Sequence, residues 1–258
     1  MHFFWIFFMG ISAQAVDLGS ILQKQETSIA GHSQFGAPEL SSASLEKIQG
    51  GETFWSESTG PAGERLLLIS GLVQASPAAV WVAILDDAHN GLSERITEHQ
   101  LSGSVPGKKR LYQHLSLPYP LADRHWVLNI LTDIPLYKAS QKAIWRRAWD
   151  LDPLGEAVFA SMNPEDKALI QKGVWTPKNK GEWLILPVGE ASFVIYRGLF
   201  DIGGRVPSSL SQAVGSQSAL DLFNELQALA EKVPQHYTSN HAPILAPTGR
   251  PIPPWKAQ

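Results

Sequence analysis

The chain has 258 residues, an apolar fraction of 44% and a formal net charge of -3. That length allows one full domain or two small ones, each able to form a core, and the weak charge with no basic stripe excludes a typical nucleic-acid binder. The sequence has no cysteine, which excludes disulfides, thiolate metal sites and cysteine nucleophiles.

The N-terminus opens with an apolar run from Phe3 to Ile11, followed by Ser12-Ala13-Gln14-Ala15. A spanning helix needs about twenty apolar residues, so the run is too short to cross a bilayer and fits the core of a signal peptide. The small-x-small pattern at 13–15 predicts cleavage after Ala15 and a mature chain starting at Val16. No Lys or Arg precedes the run, and the competing reading is a segment that packs on the domain or anchors it. Residues 1–15 are thus expected to be a signal peptide, and the protein to be exported to the periplasm or outside the cell.

Residues 16–49 read as a helical lead: Leu18, Ile21 and Leu22 recur at helical spacing before Gly31 and Gly36-Ala37-Pro38 break the pattern. Strands are expected from Thr53 towards Gly60 and over 65–75. Ser76 then stands where an N-cap belongs and Pro77 at the first helical position, which starts a helix running to about Asp87. From Arg95 the signals are strand-like, over 95–102, 109–117, 125–134, 140–149, 175–186 and 192–200. The stretch 151–173 interrupts this series as a partly helical insertion. A long helix is expected over 207–233, with Leu210, Val214, Leu220, Phe223 and Leu226 near helical spacing. Residues 234–258 hold Pro243, Pro247, Pro251, Pro253 and Pro254 and read as an extended, loosely attached tail. Two short basic clusters, Lys108-Lys109-Arg110 and Arg146-Arg147, read as solvated strand ends or faces.

Consecutive strands joined by short turns argue for an antiparallel sheet. A sheet and one long helix bury their apolar faces together most simply when the sheet wraps around the helix. The space between them can be an apolar cavity.

Ala75-Ser76-Pro77-Ala78-Ala79-Val80-Trp81 is similar to the start of the first long helix in START and related Bet v 1-like domains. Leu117-Pro118-Tyr119-Pro120-Leu121-Ala122-Asp123-Arg124-His125-Trp126-Val127 is similar to the family's proline-rich loop, Asp-Arg pair and following strand. Gly181-Glu182-Trp183 and Phe193-Val194-Ile195-Tyr196 resemble its last two strands, and Asp201-Ile202-Gly203-Gly204-Arg205-Val206-Pro207 resembles the turn into its C-terminal helix. The resemblance spans about Phe54 to Val233, so a START-like domain is expected over 50–233. It implies an α+β helix-grip fold, a curved antiparallel sheet around a long C-terminal helix, and binding of a lipid or other apolar small molecule. Two departures stand out: His125 follows the Asp-Arg pair where the family often has an acid, and the insertion 151–173 is long.

No catalytic motif or phosphate loop is present, and no cofactor is implied. A cyclase or hydrolase on the same fold is the alternative to a carrier. Asp86, Asp87 and His89 read as a solvated helix end, with a metal site as the sharper reading. His125 reads as a partly exposed strand residue. Trp145, Arg147 and Trp149 share one strand face, so an arginine between two tryptophans is a candidate polar group in an apolar pocket. Trp126, Leu128 and Tyr196 are further candidate ligand contacts. Val206, Leu210, Val214, Gln217 and Leu220 form the expected cavity stripe of the C-terminal helix. The expected mouth comprises Arg124 on the proline loop and Val158, Phe159 and Met162 on the insertion, which is expected to move and to make transient membrane contact.

Overall fold

A computed structural model describes residues 17–59, 65–86, 96–101, 105, 107–117, 119, 121–158, 162, 164–170, 172–201 and 208–256; the side chains at 156, 158, 166, 169 and 208–219 are not among those described. The expected signal peptide, Asp87, His89, Phe159 and Val206 lie outside the described residues.

Two helices lead the chain. In α1 (Leu18–His32) the Asp17 carboxylate accepts from Ser20 N at 3.2 Å, satisfying one free donor of the first turn. In α2 (Ser42–Gln49) the Ser41 hydroxyl does the same for Ser44 N. Then follow β1 (Phe54–Thr59), β2 (Arg65–Val73) and α3 (Pro77–Leu85). The start of α3 is as the sequence implies: Ser76 Oγ accepts from Ala79 N at 3.3 Å and Pro77 occupies the first turn.

The remaining elements are β3 (Ile96–Gln100), β4 (Lys108–Leu115), β5 (Arg124–Thr132), α4 (Ile134–Ala139), β6 (Trp145–Leu151), α5 (Gly155–Val158), α6 (Pro164–Ile170), β7 (Val174–Trp175), β8 (Lys178–Val188), β9 (Ala191–Asp201) and α7 (Ser208–His236). The strands form one sheet in the order β1-β2-β9-β8-β6-β5-β4-β3, antiparallel throughout; only the short β7 pairs parallel, with β5. This is the expected α+β helix-grip architecture, with the sheet wrapped around α7.

Alternation gives the sheet two apolar faces. The inner face offers Ile69, Val73, Trp183, Ile185, Val194 and Tyr196 to α3 and α7, which bring Val80, Trp81, Phe223 and Leu226. The outer face offers Leu184, Leu186, Phe193 and Ile195 to Leu18, Ile29 and Ile48 of the helical lead and Leu136 of α4. The lead therefore belongs to the core of the domain, and the expected change at residue 50 marks a change of pattern without a break in packing.

Three expectations need correction. The strand expected over 140–149 begins only at Trp145. Asp133 caps α4 by accepting from Leu136 N at 2.9 Å, and Gln141 and Lys142 take left-handed φ angles of 55° and 73° to turn the chain into β6. The strand expected over 175–186 is two strands, β7 and β8, separated by Thr176 and Pro177. The proline-rich tail is not loose. Ile252 is 4% exposed and Tyr237 2%, Tyr237 Oη donates to Ile252 O and accepts from Ile244 N, and Leu245 bridges to Pro251. Its prolines set an extended path, and its apolar residues fasten that path to the core.

Candidate functional site

On the inner face, β6 presents Trp145, Arg147 and Trp149 together, as their spacing requires. The tryptophans fill core space. Trp145 meets Trp81 edge-on with ring centroids 5.7 Å apart. Trp149 lies 5.7 Å from Tyr196, which lies 4.6 Å from Trp183. Gly181 and Gly198 face each other across β8 and β9 and make this possible: a Cβ on Gly181 would sit 2.2 Å from Trp149 Cζ2, and one on Gly198 2.2 Å from the Phe200 ring. Trp149 Nε1 donates to Asn179 Oδ1 at 2.9 Å, so its one polar atom is satisfied. Burial pushes the Tyr196 hydroxyl well above the ordinary phenol range, so it stays protonated.

Towards β5 and β4 the same face carries Trp126, Leu128, Ile130 and Leu111, a smaller apolar cluster that also touches Trp149. Beyond it the interior is not filled. A cavity of about 440 Å³ lies against Gln100, Lys109, Ile130, Thr132 and Arg147 of β3 to β6. The end of α3 closes it with Leu85, the β3–β4 turn adds Val105, and the tail from Pro243 to Ala246 forms the facing wall. The tail is held there by Trp81 Nε1, which donates to Leu245 O at 2.9 Å. A second fastening is buried Asp86, whose Oδ2 lies 3.1 Å from His236 Nε2 and 3.2 Å from His241 Nε2. Asp86 is thus no solvated helix end; it ties α3, α7 and the tail together.

Arg147 is buried against this cavity, and its Nη1 donates to Ile84 O at 2.5 Å. Its neighbour Arg146 points to the other face. There Glu182, with no exposure at all, accepts from Arg146 Nε at 2.6 Å, from Arg197 Nε at 2.8 Å and from Ser33 Oγ at 2.8 Å. Arg146 Nη1 also reaches Asp133 Oδ2 at 2.6 Å, and Arg197 Nη2 donates to Gly36 O at 2.8 Å. Burial pulls the Arg197 guanidinium below its ordinary range while Glu182 opposes that. Both arginines of this pair are therefore buried, contrary to the expected solvated strand face: each meets an acceptor fixed by the fold, which a linear sequence does not display.

Beyond Leu151, which stays with the inner cluster, Gly155, Met162 and Ile170 of the insertion lie on the outer face. Met162 is buried with Tyr112 and Val127, and Ile170 and Trp175 pack against them. Val127 and Tyr112 point away from Trp126 and Leu111 by strand alternation, so Met162 sits across the sheet from the cavity and does not form its mouth. His125 shares this outer face, fully buried, its ring 4.3 Å from Trp175. Burial first, and the nearby His114 second, lower its pKa from the ordinary 6.5 to about 4. Arg124 is buried at the start of β5, its Nη1 donating to the carbonyls of Ala122 and Asp123. Asp123 itself accepts from Leu117 N at 2.9 Å and lies 3.2 Å from His114 Nε2, so this corner is built from its own chain.

Of the sequence-derived ligand contacts, Arg147 lines the cavity. Trp126 and Leu128 continue its sheet face, and Trp145 and Tyr196 belong to the filled core. Leu210, Val214 and Gln217 lie on α7 where side chains are outside the description, and Leu220 is half-buried. Sequence reasoning missed Leu85, Lys109, Ile130 and Thr132, although alternation from Leu111 and Leu128 marks three of them. It also missed the tail wall, for which no local pattern exists.

No family model and no curated protein sequence matches this chain. Solved structures do. The human StAR-related lipid transfer protein 5 superposes with a TM-score of 0.54 at 14% identity, covering 70% of this chain and 82% of that one. The lipid transfer and protein localization domain of human StarD13 gives 0.52 at 18% identity over 69% and 84%. A STAR-related lipid transfer protein from Xanthomonas axonopodis gives 0.50 at 19% identity over 69% and 98%. With the sheet order and the long C-terminal helix already described, these likenesses show that the chain has the START, Bet v 1-like helix-grip fold.

Proposed function

We propose that the protein binds a lipid or other apolar small molecule in the cavity between the inner sheet face and the C-terminal tail. The cavity itself carries the reading: about 440 Å³ of unfilled space, walled by Leu85, Val105, Ile130, Ile134, Ile244 and Leu245, beside an inner face that the described residues pack with tryptophan. Volumes of roughly 300–1,000 Å³ with mostly apolar walls and a few polar groups are the usual form of small-ligand sites. The titratable groups among the described lining residues are all cations, which suits holding a ligand better than acid–base chemistry.

In this reading the tail is the movable wall, since it is the segment whose displacement opens the cavity without breaking the sheet. Val105, 56% exposed at the cavity edge, gives the mouth an apolar lip for transient membrane contact. The apolar run and small-x-small site near the N-terminus support export. Among the described residues no helix is long and apolar enough to cross a membrane.

Organic extraction of the purified protein, followed by mass spectrometry, should recover an apolar molecule in near-stoichiometric amount. Stripped protein should saturate with a fluorescent acyl or sterol probe. An empty extract together with no saturable binding of either probe would overturn the reading.

A further inference from the structure

We infer that His125 is an acid-sensitive latch, whose protonation frees the insertion over 151–173 and β7 from the outer face of the sheet. The latch is independent of the cavity, which lies across the sheet.

The latch is a buried ring with nothing to receive a second N–H. His125 has no exposure, and neither Nδ1 nor Nε2 has a hydrogen-bond partner. An imidazolium carries two N–H donors, and the closed fold offers an acceptor to neither. Buried polar groups are ordinarily bonded, so this ring is held by packing alone. Trp175 stacks on it with centroids 4.3 Å apart and planes inclined by 30°. The chain at Gly173 lies so close that a Cβ there would stand 3.5 Å from Nδ1. Both contacts come from the segment that moves.

The surrounding charges work in the same direction. His114 faces His125 across β4 and β5 and is itself buried, its Nε2 3.2 Å from Asp123 Oδ2. Tyr112 meets His125 edge-on at 6.4 Å, with His99 stacked on Tyr112 at 6.1 Å. On the covering segment, Glu165 and Lys172 are exposed and Lys167 is half-buried. Burial first, and the His114 charge second, hold the His125 pKa at about 4. Opening the segment returns the ring to water and to the ordinary 6.5.

The cover is built to open by itself. β7 is two residues long and joins β5 through Val174 N to Asp123 O at 2.9 Å and Thr176 N to His125 O at 3.1 Å. Helices α5 and α6 have four and seven residues, too few to be stable away from the sheet. Met162, Ile170 and Trp175 pack there on Tyr112 and Val127, a small cluster beside the one that holds β8 and β9. Short elements with few apolar contacts open below the cost of global unfolding. The open form takes up the proton more readily than the closed one, so acid favours it. With the two pKa values above, the ratio of open to closed rises roughly 30-fold between pH 7.5 and pH 5.

Hydrogen exchange of the purified full chain at these two pH values, corrected for intrinsic rates, tests the latch. Amides over 151–176 should exchange ahead of those in β8 and β9 at both pH values, and their corrected rate should rise roughly 30-fold at pH 5. His125→Phe keeps a ring against Trp175 but has no group to titrate, so it should remove most of that rise. His125→Gln serves where the phenylalanine variant fails to fold. Exchange of 151–176 only together with β8 and β9 would overturn the latch, because the ring would then be exposed by global unfolding alone. So would a corrected rate unchanged between the two pH values, or a rise of the same size in a folded His125 variant.

Discussion

The two faces of the sheet bury polar groups in opposite ways. On the outer face, Glu182 is enclosed by Arg146, Arg197 and Ser33, and the helical lead and α4 lie over them. On the inner face, Arg147 donates to a carbonyl of α3 and lines the cavity. The same Arg-Arg dipeptide thus serves a closed network with one residue and an open cavity with the next. A closed network fixes geometry, because removing its shared carboxylate strands two buried cations.

The largest expected effect breaks the closed side. Glu182→Ala leaves Arg146 and Arg197 buried without their shared carboxylate and should cost about 3–5 kcal/mol. Thermal unfolding should fall by roughly 10 °C for a chain of this size. Arg147→Gln, which removes a donor to a neutral carbonyl and strands no buried carboxylate of the Glu182 network, should lose less stability. Equal destabilisation by the two variants would erase the contrast between the faces.

The outer face also sets an acid limit. His125 titrates at about 4 in the folded protein against an ordinary 6.5. Between these values the unfolded chain binds the proton and the native protein does not, so stability is complete above about pH 6.5 and falls as pH drops towards 4. The loss from this one group reaches up to about 3 kcal/mol. Urea titrations across that window should show the slope, and His125→Phe should flatten it. A slope unchanged in His125→Phe would assign the acid sensitivity elsewhere.

A smaller change sharpens the inner face. Gly181→Ala puts a methyl group 2.2 Å from Trp149 Cζ2 and 2.6 Å from Arg197 O, and overpacking of this kind costs about 1–3 kcal/mol. The near-ultraviolet circular dichroism should change with the displaced indole. An unchanged spectrum would mean that Trp149 has room the packing does not show.

The smallest effect on stability, and the most specific on function, is expected from Leu245→Ala. It trims the tail wall while keeping the backbone carbonyl that receives Trp81 Nε1. Loss of one half-buried side chain should leave unfolding within about 2 kcal/mol of wild type. Dissociation of a bound acyl probe, followed by stopped flow, should become several-fold faster. An unchanged rate would place the exit elsewhere and return the insertion over 151–173 to consideration.

Much of the fold is legible because short-range rules set it. Ser76-Pro77 starts α3, the alternation of Trp145, Arg147 and Trp149 puts all three on one face, and the spacing in α7 marks a buried stripe. The same rules were available for α4, since Asp133 and Pro135 repeat the polar cap and early proline of α3. There the β-rich flanks outweighed the local signal. Gly181 and Gly198 read only as strand glycines until Trp149 and Phe200 are seen to fill their places.

What the sequence by itself determined is the order of elements, their faces and the family likeness, because each depends on residues a few positions apart. The partners of buried charges were decided only by the tertiary structure, since Ser33, Glu182 and Arg197 are brought together from distant segments. So was the choice of cavity wall. The prolines of the tail specify an extended chain but not where it lies; Trp81, Asp86 and Tyr237 do that, by offering a donor, a carboxylate and a hydroxyl at the points where the tail passes.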